Sequence, residues 1–340
     1  MRFGVIGCGD IGVKDAEAVA AADDIDLVAC LDPVNALADD IATRFGARAE
    51  RTLEEMLSRT DLDAVIIATP HDTHEQVALA ALAAGKHVLL EKPLAHDLGS
   101  ARRIAAAAAG AGTTVSVLFP LRADPRFRRA RTAVRQGRIG TPLGAAASYA
   151  VHKPTSYFRG GFSQRAISSW RLSKARAGGG FLIMNVIHHV DAIRSLLDAE
   201  CDSVYAEMAP SAIAPEVEDT VAVILRFGQV VATLTGGASV PGGDGQRLHL
   251  WGAAGQVRVL PDHAVTSAGE IPPVEPPRAG ADPRVTAISR FAAAARDGAA
   301  PDVTVRDALA VQAIVTAAYR SASLRHAVRP AELLGEAAAR

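Results

Sequence analysis

Aromatic side chains make up only 4% of this 340-residue chain, and Cys8, Cys30 and Cys201 are its only cysteines. An odd number of thiols without a CxxC spacing excludes a paired disulfide framework and shows no zinc-ligand pattern. Cys8 and Cys30 fall within apolar, strand-like runs, where a thiol reads as a small buried hydrophobe. Long apolar runs are missing as well. LAALAAGKHVLL comes nearest to a membrane helix and is interrupted by Gly85, Lys86 and His87. A formal net charge of −1 offers no global field to attract nucleic acid or anionic lipid. The arginines of LRADPRFRRARTAVRQGR, 121–138, are a local exception. They read as the solvated face of a helix, with a patch for an anionic substrate or a partner chain as the alternative. The chain opens MRFGVIGCG, directly into a strand and without a signal-like stretch, so a cytoplasmic protein is expected.

What is present points to a globular protein of two domains. Hydrophobic residues are 49% and charged residues 21% of the chain, which is too long for one small core. RFGVIGCGDIGVKDAEAVAA reads as strand, glycine-rich turn and helix, with Gly7, Gly9 and Gly12 in G-x-G-x-x-G spacing. The first glycine permits the tight turn, the second lets a pyrophosphate approach the backbone, and the third lets helix and strand pack closely. The helix N-terminus adds free N–H groups and partial positive charge. A second apolar strand, IDLVACLD, ends in Asp32, twenty positions beyond Gly12. A carboxylate there can accept from the adenosine ribose hydroxyls and would repel a 2′-phosphate. No arginine follows until Arg44, so NAD is favoured over NADP.

Helices and strands continue to alternate through DAVIIATP, EQVALAALAAG, KHVLLEKP, SARRIAAAAAGAG and TTVSVLF. Units this short imply a parallel sheet with right-handed crossovers, and ligands lie outside the carboxyl ends of its strands. Those ends carry Gly7, Asp32, ATPHDTH (68–74), EKP (91–93) and FPLR (119–122). After Gly140 the segments PLGAAASYAV, SVYAEMA, TVAVILRF, VVATLTGGAS, RLHLWGA and QVRVL alternate like strands. GEIPPVEPP, 269–277, reads as a surface loop.

Several blocks, spread in order over nearly the whole chain, resemble the Gfo/Idh/MocA family. They are GCGDIG (7–12), ATPHDTH, GKHVLLEKP (85–93), RFRRARTAVRQGRIG (126–140), GGGFLIMNVIHHVD (178–191) and the C-terminal 290–322. The resemblance implies an α/β protein: a Rossmann domain with a doubly wound parallel sheet over 1–121, and an α/β domain over 122–340 with a large, mostly antiparallel open-faced sheet. It further implies pairing through that sheet into homodimers or homotetramers, and no role for membrane or nucleic acid. The reaction implied is hydride transfer between NAD and a secondary alcohol or ketone of a sugar, polyol or cyclitol. Carried onto this chain, the cofactor residues are Gly7, Gly9, Asp10, Ile11, Gly12, Asp32, Thr69, Pro70, His74, Glu91 and Lys92. The substrate-binding candidates are Arg122, Trp170, Arg171, Asn185, His188 and Asp191, with His152, Lys153 and Tyr157 as weaker candidates for the pocket lining.

Oxidising an alcohol requires a group that takes the hydroxyl proton, most effective with a pKa near neutrality. His188 starts near that range, and burial together with a cationic neighbour lowers a lysine such as Lys92 toward it. His188 and His189 point about 100° apart on a helix, so they do not share one role. His188 faces the same side as Met184, Asn185 and Asp191, whereas His189 lies on a mostly apolar face and reads as structural. Many members of the family carry an aspartate four residues before this histidine; here Met184 stands in that place. Methionine neither moves a proton nor orients an imidazole. Lys92 therefore becomes the leading proton-transfer candidate, with His188 hydrogen-bonded to the substrate and Asp191 holding its ring. His71 stands where asparagine is common in the family. No metal is expected, because His188, His189 and Asp191 lack the spacing to close on one ion. Two other functions stay open: oxidation and elimination of a glycoside on tightly held NAD, and a non-catalytic sensor of NAD and sugar.

Overall fold

The computed structural model describes residues 1–211, 216–243, 245–259, 264–266 and 282–335; the 269–277 segment lies outside them. The chain divides into two compact units. The first comprises Met1–Pro120, Thr155–Gly178 and Asp282–Leu309; the second comprises Leu121–Pro154, Gly179–Ala281 and Ala310–Arg340.

In the first unit β1 (Arg2–Ile6), α1 (Asp10–Ala20), β2 (Asp26–Leu31), α2 (Asn35–Phe45), β3 (Arg48–Glu50), α3 (Leu53–Leu57), β4 (Ala64–Ile67), α4 (His74–Ala83), β5 (His87–Glu91), α5 (Leu98–Gly110) and β6 (Val115–Leu118) follow in order. The six strands lie β3-β2-β1-β4-β5-β6, and every pair is parallel. All four residues of β4 and of β6 are buried, as strands covered on both faces must be. The strand order reverses between β1 and β4, which opens a crevice at their carboxyl ends. A late segment completes this core: the helix Pro283–Asp297 buries Ile288, Phe291 and Ala292 against Phe3, Val5 and Leu89. Phe3 and Phe291 meet edge to face at 6.1 Å.

Among its described residues the second unit is built on seven strands, β7 (Pro142–Ala150), β8 (Ser203–Pro210), β9 (Glu218–Phe227), β10 (Val230–Gly237), β11 (Gly245–Gly252), β12 (Gly255–Val259) and β13 (Ala264–Thr266). Their order is β13-β12-β11-β7-β10-β9-β8, and only the β7–β10 pair is parallel. Alternation along β9 buries Val221, Val223, Leu225 and Phe227 and exposes Thr220, Ala222, Ile224 and Arg226. The sheet thus keeps one open face.

The arginine-rich stretch forms the helix Pro125–Arg135, which buries Phe127, Ala130 and Ala133. Three of the arginines in and before it are paired: Arg122 with Asp191, Arg126 with Asp124, and Arg135 with Asp198. All three cysteines are buried free thiols. No helix among the described residues is long and apolar enough to cross a membrane.

Candidate functional site

The glycine turn has the geometry that dinucleotide binding requires. Gly7 sits at φ +93°, and a Cβ on it would lie 2.7 Å from the Ala68 carbonyl. A Cβ on Gly12 would collide with the carbonyl oxygen of Gly7. Gly9, whose neighbour Asp10 starts α1, leaves its own Cβ position clear to 3.5 Å. Backbone N–H groups at the start of α1 therefore face an approachable surface with their dipole positive. Asp10 and Ile11 form the first turn of that helix.

Asp32 follows the last residue of β2 and is buried. Its carboxylate accepts from the Cys8 N–H and the Val34 N–H, each at 2.8 Å, which ties the glycine turn to the start of α2. A carboxylate has about four lone-pair sites, so two such bonds still leave acceptor capacity for ribose hydroxyls. These residues fit a dinucleotide such as NAD.

Two further strand ends meet through His74. Its ring nitrogens lie 3.0 Å from the Pro93 carbonyl and 3.1 Å from the Thr69 carbonyl. The ring is fully buried, and burial lowers its pKa. His74 therefore braces the turn after β4 against the turn after β5. The Pro70 carbonyl accepts from the Thr73 hydroxyl at 2.8 Å, and the Thr69 and Thr73 hydroxyl oxygens lie 2.8 Å apart. His71 contacts Trp170 with ring centroids 4.5 Å apart, and its Nδ1 lies 2.8 Å from the Ala177 carbonyl. Burial, with His74 and Lys92 adding positive charge nearby, holds His71 well below the usual imidazole range. Arg171 stacks over Trp170 at 4.5 Å and over Tyr157 at 5.3 Å.

Lys92 follows β5 and is half-buried. Its backbone N–H donates to Glu91 at 3.2 Å. The other oxygen of Glu91 pairs with Arg284, which also pairs with Asp15. Arg284 stands 193 residues beyond Glu91, and nothing in the EKP motif announces it. A buried carboxylate at Glu91 needs a cation, and that need is the only sequence-level signal for such a partner. Burial pushes Asp15 up to about 7, with Arg284 opposing the rise.

In the second unit the block that follows Gly178, residues 179–191, is not one regular α-helix. Leu182–Val186 winds as a π-turn, and Ile187–Leu197 continues as an α-helix. Such π-turns recur at functional sites, and here the wider turn contains Met184 and Asn185. Glu218 organises its start, accepting from the Gly180 N–H at 2.8 Å, the Leu182 N–H at 2.9 Å and the Tyr319 hydroxyl at 2.8 Å. A Cβ on Gly180 would strike the backbone of Glu218, so this glycine allows the approach. Sequence reading overlooked both Glu218 and Tyr319, which carry no local motif.

His188 is half-buried and His189 buried. His189 packs against Tyr149 at 5.6 Å, and burial pulls its pKa to about 4. Its ring is therefore neutral at pH 7. Asp191 and Arg122, both buried, form a bidentate ion pair, with Arg122 Nε at 2.9 Å and Nη2 at 2.6 Å from the carboxylate. Met184 is buried. Asn185 accepts from Lys153, a buried lysine whose ammonium also lies 5.2 Å from the Phe181 ring centre. Among the described residues no group of three or more His, Cys, Asp or Glu side chains is placed to hold a metal ion.

Comparison with known proteins extends this geometry. Residues 1–119 match the model of the oxidoreductase family with an NAD-binding Rossmann fold, and residues 127–258 match the GFO/IDH/MocA C-terminal domain. The chain is 32% identical over 228 residues to the 1,5-anhydro-D-fructose reductase of Ensifer adhaerens, a match covering 66% of each protein and so just under two thirds of that relative. It is also 32% identical over 262 residues to the inositol 2-dehydrogenase of Rhizobium meliloti, covering 76% of this chain and 74% of that one. The crystal structure of GenD2 from gentamicin A biosynthesis, in complex with NAD, superposes with a TM-score of 0.83 at 28% identity, covering 97% of this chain and 96% of that one. With a glycine turn shaped for a dinucleotide, an NAD-binding parallel sheet and an open-faced second sheet, the chain belongs to the Gfo/Idh/MocA family of oxidoreductases.

Proposed function

We propose that this protein interconverts a secondary alcohol and the matching ketone on a sugar, polyol or cyclitol. Two of its relatives support the substrate class, being named for inositol and for 1,5-anhydro-D-fructose. Bound NAD supplies the hydride acceptor or donor.

The observation that carries the reading is the placement of Lys92. It follows β5 at the carboxyl edge of the parallel sheet, with its backbone held by Glu91 and the turn braced by His74. Lys92 exchanges the hydroxyl proton of the substrate, and His188 orients the substrate through a hydrogen bond. Met184 has no proton to give, so the lysine carries this task without a carboxylate partner at that position. Gly7, Gly9, Asp10, Ile11, Gly12, Asp32, Thr69 and Pro70 form the cofactor side. His74 and Glu91 act on it indirectly by holding the turns in place. Trp170, Arg171 and Asn185 serve substrate binding, while Arg122 and Asp191 act as a pair that stiffens the helix bearing His188. The open face of the second sheet, with Ile224 47% exposed, joins copies of the chain into a homodimer or homotetramer.

Replacing Lys92 by alanine tests the assignment. Turnover followed as NADH formation with a panel of cyclitols and sugars should fall by about 10²–10⁴-fold, with NAD binding retained. Near-wild-type turnover in that variant would refute it. Absence of net NADH formation by the wild-type protein on every substrate that it binds would instead favour a sensor.

A further inference from the structure

Residues 155–178 return to the dinucleotide-binding unit, and their first part lies across the glycine turn. Asp10 makes the main attachment. Its carboxylate accepts from the Phe162 N–H at 2.6 Å, from the Ser163 N–H at 3.2 Å and from the Ser163 hydroxyl. Gly161, at φ +71°, makes room for that carboxylate, which a Cβ would displace. Gln164 closes the loop on itself by donating to the carbonyls of Ser156, at 2.9 Å, and Gly161.

Beyond this anchor, Arg165 reaches the turn itself. Its Nε donates to the Cys8 carbonyl at 3.0 Å, and its Nη2 pairs with Asp40 of α2 at 2.9 Å. Ala166 then comes within 3.5 Å of the Cβ position of Gly9, the residue whose missing side chain admits the diphosphate. A guanidinium that meets the turn one residue before that glycine is well matched to a phosphate, because its planar fork offers five donors. Asp10 is otherwise a poor choice beside a diphosphate, since like charges repel. Three donors from the loop offset its charge and turn a liability into an attachment.

We infer that residues 161–166 are a strap that retains the bound dinucleotide, with Asp10 as its anchor and Arg165 as the cation it delivers to the diphosphate. The strap adds to the glycine turn a contact that no part of the G-x-G-x-x-G motif encodes. Loss of the cofactor then requires the strap to lift, so weakening it speeds release.

The test is the rate of NADH release, measured in the full-length protein without any substrate. Protein preloaded with NADH is mixed with excess NAD, and the decay of NADH fluorescence is followed by stopped flow. Asp10→Ala and Arg165→Ala should each speed release by roughly tenfold, the worth of about one charge-assisted hydrogen bond. Arg165→Lys should fall between wild type and Arg165→Ala. The salt dependence of NADH affinity should shrink in Arg165→Ala, because one cation has left the phosphate site. Arg165→Gln, which keeps the size of the side chain, guards against misfolding, and each variant's unfolding curve confirms the folded state. Acceleration of threefold or more in both the Asp10 and the Arg165 variants supports the strap. Less than threefold in either, with the protein folded, means that the loop only completes the fold and overturns the proposal.

Discussion

Arg284→Met removes one guanidinium from the most enclosed charge cluster of the first unit. Arg284 pairs with Asp15, which is fully buried, and with Glu91, which is 7% exposed. Breaking a buried ion pair by deleting one partner costs about 3–5 kcal/mol, because the remaining charge is buried without compensation. Here two carboxylates lose the same cation, so the upper part of that range is expected at pH 8. The pH dependence has a definite sign. Burial already raises Asp15 to about 7 with Arg284 in place, and removing the cation raises it further. A carboxylate whose folded pKa lies above its unfolded value contributes stability at low pH, and this is lost as pH rises through the folded pKa. In the wild-type protein this contribution fades from about pH 4 to about pH 7; in Arg284→Met the window extends higher. Urea unfolding followed by circular dichroism at pH 5.5 and pH 8 reads both effects. The variant should lose more stability at pH 8 than at pH 5.5, and adding Asp15→Asn should restore part of the loss. A stability change below about 1 kcal/mol, or one equal at the two pH values, would refute the assignment of Arg284 as the counterion of both carboxylates.

The Arg122–Asp191 pair allows a parallel test. Asp191→Asn should destabilise the second unit by about 3–5 kcal/mol, while Arg122→Met with Asp191→Leu recovers most of it in the same unfolding assay. If Arg122 instead binds substrate, Arg122→Met raises KM and leaves the unfolding midpoint in place. For the open sheet face, light scattering on the wild-type protein should give the mass of a dimer or tetramer. Ile224→Glu should reduce that mass toward a single chain, because a buried unpaired carboxylate opposes the contact. A wild-type protein of monomeric mass would remove the sheet as an interface.

Much of the fold is readable along the chain because its signals are local. The G-x-G-x-x-G turn, Asp32 after β2 and the alternation of short strands and helices each rest on neighbours within a few residues. The parallel order of β1, β2, β4, β5 and β6 follows from that alternation and from the handedness of crossovers. The three-residue strand β3 and the π-turn at Leu182–Val186 give weaker signals. A strand so short has almost no period, and a π-turn depends on which carbonyl each N–H finds. Glu218 shows the same limit: it accepts from the N–H that opens the π-turn, at Leu182, from 36 residues further along the chain.

The candidate site divides along the same line. Lys92 and His188 are recognisable because their motifs surround them. The partners that govern their surroundings are not: Arg284 for Glu91, Arg122 for Asp191, Lys153 for Asn185 and Glu218 for the glycine run. His189 illustrates the difference well. Its apolar helical neighbours already point to a structural role, yet only burial beside Tyr149 determines that its ring stays neutral.

By itself, then, the sequence determined the dinucleotide turn and the parallel sheet, since each depends on spacing within one element or its immediate turn; the antiparallel sheet and the choice of Lys92 and His188 rested on resemblance to the family. Tertiary structure alone decided which distant cation neutralises Asp15, Glu91 and Asp191 and which loop lies over the glycine turn. Burial makes an unpaired charge too costly to keep, but it does not specify where along the chain the compensating group must come from. Only folding brings Arg165 to Cys8 and Arg284 to Glu91.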